Sequence, residues 1–230
     1  MSLFLGRRHA EHDGHPPGYP GVMATRSSVP WWTVMSAASA PIVLLGSASI
    51  ARSVRIESYD PISQTLSTLA ADGRGEWIMT AGLAISAGCQ IVTAVGLRVL
   101  PLLPRIALAL AGCCGLAVAA LPDRLGTATA HVAATGLAAT LLAIWPLLMV
   151  PTIRPISWTR RVRRSVFVSA VLVGMLLWMG YDAWRGIQLG LSERAAATAE
   201  MLWPLIVVVS ARRRLRRQTR SGATVSADHN

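Results

Sequence analysis

The chain has no lysine, so all 22 of its basic residues are arginine. That uniformity reads as the codon bias of a GC-rich genome. Charge is scarce, at 14% of 230 residues, and there are three cysteines. Cys89, Cys113 and Cys114 all lie inside apolar runs, which excludes a disulfide framework and leaves them as small hydrophobes. Only one histidine, His131, lies within a long apolar run, too few ligands for a membrane metallohydrolase, and no metal or cofactor is expected. P-loops, Gly-rich dinucleotide fingerprints and intramembrane protease motifs are missing. So are an internal repeat with paired broken helices and an Arg-rich span, which argues against an inverted-repeat transporter and a voltage sensor.

What the chain has in abundance is apolar sequence, at 53%. With so little charge this composition fits a membrane protein better than a soluble domain. Six runs have the length to cross a hydrocarbon core of about 30 Å. They extend from Trp31 to about Ala51, Trp77 to Leu97, Ile106 to Leu121, Leu125 to Val150, Ser165 to Trp184 and Ala195 to Ala211. Aromatic residues mark interfacial ends, as at Trp31, Trp32 and Trp77, and Trp178, Tyr181 and Trp184 form a belt around Asp182. The expected fold class is all-α, a polytopic membrane protein of six transmembrane helices with a short interfacial amphipathic helix in the first outer loop. That helix is read from Pro61 after Asp60 and from Ile62, Leu66 and Leu69 at helical spacing, with Gly73 and Gly75 stopping it.

Residues 1–29 are polar and rich in His, Pro and Gly, and read as a disordered cytoplasmic tail without a signal peptide. His9, His12 and His15 within it are incidental, and Met23 is an alternative start that would remove them. Residues 30–211 form the six-span domain and 212–230 a basic cytoplasmic tail. The net charge of +11 raises nucleic acid as a partner, but the arginines cluster between apolar runs and read as topology signals facing anionic lipid. Arg212, Arg213, Arg214, Arg216 and Arg217 are the expected contact with inner-leaflet lipids, and a protein partner or a second copy remains open.

Six spans put both termini on one side. That side carries Arg7, Arg8, Arg26, Arg98, Arg105, five arginines between the fourth and fifth spans and six in the tail. The other side carries Arg52, Arg55, Arg74, Arg124, Arg185 and Arg194. The positive-inside rule places the termini in the cytoplasm of a plasma-membrane protein. Glu57, Asp60, Asp72, Glu76, Asp123, Asp182 and Glu193 then all face outward, as solvated loop acids or as an acidic mouth.

Candidate functional residues sit near that outer side. Pro122, Asp123 and Arg124 form a tight turn, with His131 about two helical turns beyond Asp123. Glu200 lies inside the last span, with Pro204 four residues on withdrawing the helical partner of its carbonyl. A charged acid in a span costs about 2.5–3.5 kcal/mol on insertion scales, so Glu200 should be neutral, paired with His131, Arg194 or Arg124, or facing a wet cavity. In the second span Gly82, Ser86, Gln90 and Thr93 share one face, which should point inward as packing or as a ligand contact.

Three segments in this order, DPISQTLSTLAADGRGEW, LPDRLGTATAHVAATG and GLSERAAATAEMLWPLIVV, resemble the bacterial membrane family catalogued as domain of unknown function 998. The resemblance covers about residues 31–211 and implies a six-helix integral membrane protein without an assigned substrate. By it, Asp123, His131, Glu193, Arg194 and Trp203 occupy recurring positions. The leading functional expectation is an outward-facing polar pocket lined by Asp123, His131, Asp182 and Glu200 that binds a lipid headgroup, a small polar molecule or a partner protein. The alternatives are an enzyme acting on a lipid or envelope precursor with His131 as general base, and a structural subunit of a membrane complex. Reporter fusions test the topology: a fusion in the Pro122 turn should be active only outside the cytoplasm and one in the basic tail only inside, and a cytoplasmic turn would sink the outward pocket.

Overall fold

The computed structural model describes residues 28–71, 73–121, 123, 126–150 and 158–227. The expected amino-terminal tail up to residue 27, with its histidines and Met23, lies outside the described residues, as do Asp72, Pro122, Arg124 and Arg154. Among the described residues the protein is all-helical, in the order α1 (Trp31–Val54), α2 (Leu66–Ala71), α3 (Glu76–Gly96), α4 (Leu102–Ala120), α5 (Ala128–Leu148), α6 (Trp158–Arg185) and α7 (Leu189–Ala227). All but α2 contain a stretch long and apolar enough to cross a membrane, which makes this a multi-pass membrane protein.

Local chemistry sets several boundaries. Pro30 and Pro101 stand immediately before α1 and α4 in extended conformation, where a missing N–H costs no helical hydrogen bond. Glu76 opens α3, its carboxylate beside the positive end of the helix dipole. The last helix is longer than the expected Ala195–Ala211 at both ends. It begins at Leu189 because the segment GLSER is not a solvated turn: Gly190 and Ser192 are buried against other parts of the chain. It continues through the arginines because Arg, Leu and Gln are good helix formers with no proline among them.

The spans pack as a closed ring. Each of α1, α3, α4, α5, α6 and α7 lies against its neighbours in sequence order, and α7 closes on α1. Short connections such as 97–101 make successive spans antiparallel. At one end Trp145 is almost fully buried among Ala37, Leu97, Leu108 and Val208, and its indole N–H donates to the Pro104 carbonyl at 2.7 Å. At the other end α2 dips between the spans as a plug, burying Leu66, Leu69 and Ala70 against Leu44, Ala48, Ala51 and Met79. The first loop therefore holds a short helix, but it starts at Leu66, leaves Ile62 exposed, and turns its apolar residues into the protein.

Small residues allow the tight contacts of α3. A side chain at Gly112 of α4 would bring its Cβ within 2.8 Å of the Ala87 carbonyl oxygen, and one at Gly82 would overlap Ser47 of α1. Gly82→Val should lower stability in detergent by about 1–3 kcal/mol, the range for overpacking a filled contact. Thermal unfolding measures this, and an unchanged midpoint would contradict the close approach of α1 and α3.

Candidate functional site

The polar chain before α2 enters a helical ring, and its backbone groups need partners there. Asp60 organises the entrance: its carboxylate accepts from the backbone of Ile62 at 3.1 Å, the backbone of Ser63 at 3.2 Å and the Ser63 hydroxyl at 2.7 Å. The Ser63 hydroxyl is the main reason its carboxyl is held below the usual range, with the Ile62 N–H next. The deeper carbonyls are met by Arg194. Its Nη1 donates to Pro61 at 2.9 Å, Gln64 at 2.9 Å and Gly190 at 2.7 Å, while Nη2 donates to the Tyr59 hydroxyl. That hydroxyl lies 3.0 and 2.8 Å from the Gln64 and Thr65 carbonyls, and burial pushes the phenol above its ordinary pKa although Arg194 works the other way. Next along, Glu193 accepts from the Leu66 N–H at 2.5 Å and so caps α2. Gly190 completes the fit, since a Cβ there would overlap the Gln64 carbonyl.

This clasp of Tyr59, Asp60, Glu193 and Arg194 sets α2 so that Ser67 meets His131. Ser67 Oγ lies 2.9 Å from His131 Nε2, and His131 Nδ1 lies 2.6 Å from the carbonyl oxygen of Leu121. A carbonyl can only accept, so Nδ1 carries a proton. In the neutral ring Nε2 is then the acceptor, and the Ser67 hydroxyl donates to it. His131 is 3% exposed and Ser67 is half-buried, with a face on the cavity below α2.

That cavity is the lumen of the ring. It holds about 120 Å³ and receives residues from all seven helices. Its walls are mainly Leu, Ala, Val and Met, with a few polar groups: Ser67, Ser86, Gln90, Thr135, Glu193 and Glu200. The Met201 thioether accepts from Ser86 and from the Gln90 amide, both at 3.3 Å. Gln90 Oε1, Glu200 Oε1 and Thr135 Oγ1 have no hydrogen-bond partner in the structure, and Gln90 and Glu200 are each only 5% exposed. A buried polar atom without a partner costs about 1–3 kcal/mol, so these three atoms are costly features of the lumen wall.

One wall is thin. α5 and α6 are joined where the Ser169 hydroxyl donates to the Ala143 carbonyl at 2.8 Å. From there towards α2, no residue of Val132–Leu141 on α5 or of Val173–Tyr181 on α6 is buried.

The residues expected to share one pocket are distributed more widely. Glu200 lines the lumen, and His131 reaches it through Ser67. Asp123 is exposed on the α4–α5 turn, and Asp182 is buried on α6 but does not line the lumen. Of the partners expected for Glu200, His131 bonds Ser67 and Leu121, and Arg194 is committed to the first loop. The inward stripe of Gly82, Ser86, Gln90 and Thr93 is buried as expected. Ser67 was not singled out by sequence reasoning. Its signal was modest: one hydroxyl residue flanked at helical spacing by Leu66 and Leu69.

Arg194→Met keeps the side chain's length and removes its donors, leaving the Pro61, Gln64 and Gly190 carbonyls without that partner. Stability should fall by at least about 2 kcal/mol. Hydrogen exchange should rise more than tenfold across 58–71 and stay near wild type in α4. Uniform exchange changes, or none, would contradict the clasp.

Compared with curated proteins and with solved structures, the chain matches none. A family model described as "Protein of unknown function (DUF998)" matches residues 28–210, which takes in five spans, most of the sixth, the clasp and the lumen. The segments quoted from the sequence have distinct places in that architecture: the first supplies the plug helix, the second His131, and the third Glu193, Arg194 and Glu200. The chain therefore belongs to the DUF998 family of proteins of unknown function.

Proposed function

We propose that this protein binds a small amphiphile in the lumen of its helical ring, with the occupant's polar end hydrogen-bonded to Gln90 and Glu200. The observation that carries this reading is the pair of unpartnered oxygens, Gln90 Oε1 and Glu200 Oε1, in the wall of a mainly apolar chamber. An amide oxygen accepts, and so does a carboxyl oxygen, so the fitting headgroup is a donor such as an alcohol or an amine. The apolar walls suit a hydrocarbon chain, and the thin outer half of the α5–α6 seam offers a route from the bilayer. Leu177, Trp178 and Trp184 flank that route with exposed apolar surface suited to lipid.

In the same reading the protein sits in the plasma membrane with the α2 end outward and both termini cytoplasmic, supported by the arginine bias. Arg212, Arg213, Arg214, Arg216 and Arg217 then stand where α7 continues beyond the apolar segment, and their charge favours anionic inner-leaflet lipid.

The test is ligand-dependent thermal unfolding of the purified protein in detergent. Dodecanol and dodecylamine should raise the midpoint, whereas dodecane should not. Glu200→Leu should abolish the response to both and leave basal stability unchanged or raised, because it removes a buried polar atom with no partner. A response to dodecane equal to that of dodecanol, or a wild-type response in the variant, would refute the assignment.

A further inference from the structure

We propose that Ser67 and His131 are the nucleophile and general base of an esterase site that cleaves a carboxylic ester of a long-chain amphiphile lodged in the lumen. Three features lead to this. The Ser67 hydroxyl and His131 Nε2 are 2.9 Å apart, the separation for proton transfer from a nucleophile to its base. The Leu121 carbonyl, 2.6 Å from Nδ1, holds the imidazole with its basic nitrogen towards Ser67, the orienting role that a third group plays in such sites. And Ser67 faces the chamber while His131 is almost wholly buried, so the nucleophile meets the occupant and the base stays shielded from water.

The chemistry balances with water as the only co-reactant. As Ser67 Oγ attacks the ester carbonyl carbon, its proton passes to His131 Nε2. The tetrahedral adduct collapses, the bond to the alcohol oxygen breaks, and His131 gives that oxygen the proton. The acyl group is now an ester of Ser67. Water then attacks the acyl carbon while His131 takes one of its protons; the bond to Ser67 Oγ breaks, and the proton returns to the serine. One ester and one water become one acid and one alcohol, with no change of oxidation state. The alcohol belongs to the ligand class proposed for the chamber.

Placement also favours an ester over a larger substrate. Ser67 lies on α2 at the end of the lumen away from Trp145, next to the Leu66 N–H that donates to Glu193, and Glu200 lies seven residues, about 10 Å of helical rise, farther along α7. An ester group about 10 Å from a headgroup held by Gln90 and Glu200 then lies beside Ser67. The glycines matter here too: a side chain at Gly190 would strike the Gln64 carbonyl and displace the loop that carries Ser67.

Substrate access rests on the chamber reading above, but the experiment separates the two. The full-length protein in detergent is treated with decyl fluorophosphonate, and the adduct is located by intact mass and peptide mapping. One adduct is expected, on Ser67. It should be missing in Ser67→Ala and should form at least 100-fold more slowly in His131→Ala, with the dodecanol-induced thermal shift kept in both to show that the chamber is intact. p-Nitrophenyl decanoate should be hydrolysed by the wild type and not by either variant. Should a variant fail to fold, labelling of the wild type at Ser67 still decides the matter. A wild-type protein that responds to dodecanol but stays unmodified at Ser67 overturns the dyad and leaves the chamber standing. Labelling of His131→Ala at the wild-type rate also overturns it, while labelling of Ser67 without any dodecanol response refutes the chamber instead.

Discussion

The structure depends on how a polar stretch of chain is kept inside a ring of membrane helices. Backbone carbonyls removed from water demand donors, and one arginine meets three of them while also binding a tyrosine hydroxyl. Arg194 suits this because its guanidinium carries five donors in a fixed plane and stays charged. Glu193 adds the complementary service, an acceptor for the first N–H of the plug helix. Adjacent side chains of opposite charge thus satisfy opposite backbone groups. Without them the plug helix, six residues long, has too few hydrogen bonds of its own to persist.

The plug in turn gives the lumen its chemistry. Packed flush, a ring of Leu, Ala and Val would be a core and nothing more. Here the polar groups are distributed by depth: Ser67 with His131 near the plug, and Gln90 with Glu200 farther down. Met201 mediates between them as a soft acceptor for Ser86 and Gln90, which holds the Gln90 amide while its oxygen stays without a partner.

Much of this was legible in the sequence, because in a bilayer apolar length and helix are nearly the same statement. Six runs became six spans, and the periodicity of Gly82, Ser86, Gln90 and Thr93 identified an inward face. The start of α7 was misjudged for a physical reason. Ser192, Glu193 and Arg194 have the composition of a solvated turn, and it is the distant bonds of Glu193 and Arg194 to the first loop that hold this segment in the helix. The candidate site was half legible: His131 and Glu200 stand out as ionisable groups in apolar runs. Ser67 did not, since a serine in a polar loop is ordinary until folding brings it 2.9 Å from a histidine 64 positions away. Asp123 and Asp182 stood out equally well by charge, yet one faces solvent and the other a different part of the fold.

The closure of α7 on α1 also orders the protein's assembly in time. A ribosome delivers the first loop long before the last span, and each span before that can pack against the one just made. Arg194, Glu193 and Gly190, which hold the loop, arrive only with the final helix. Until then the segment around Ser67 lacks its anchors and the lumen has a missing wall. The chamber and the serine–histidine contact are therefore completed in one late event, so a chain truncated before α7 would have five spans in the membrane and none of the proposed chemistry.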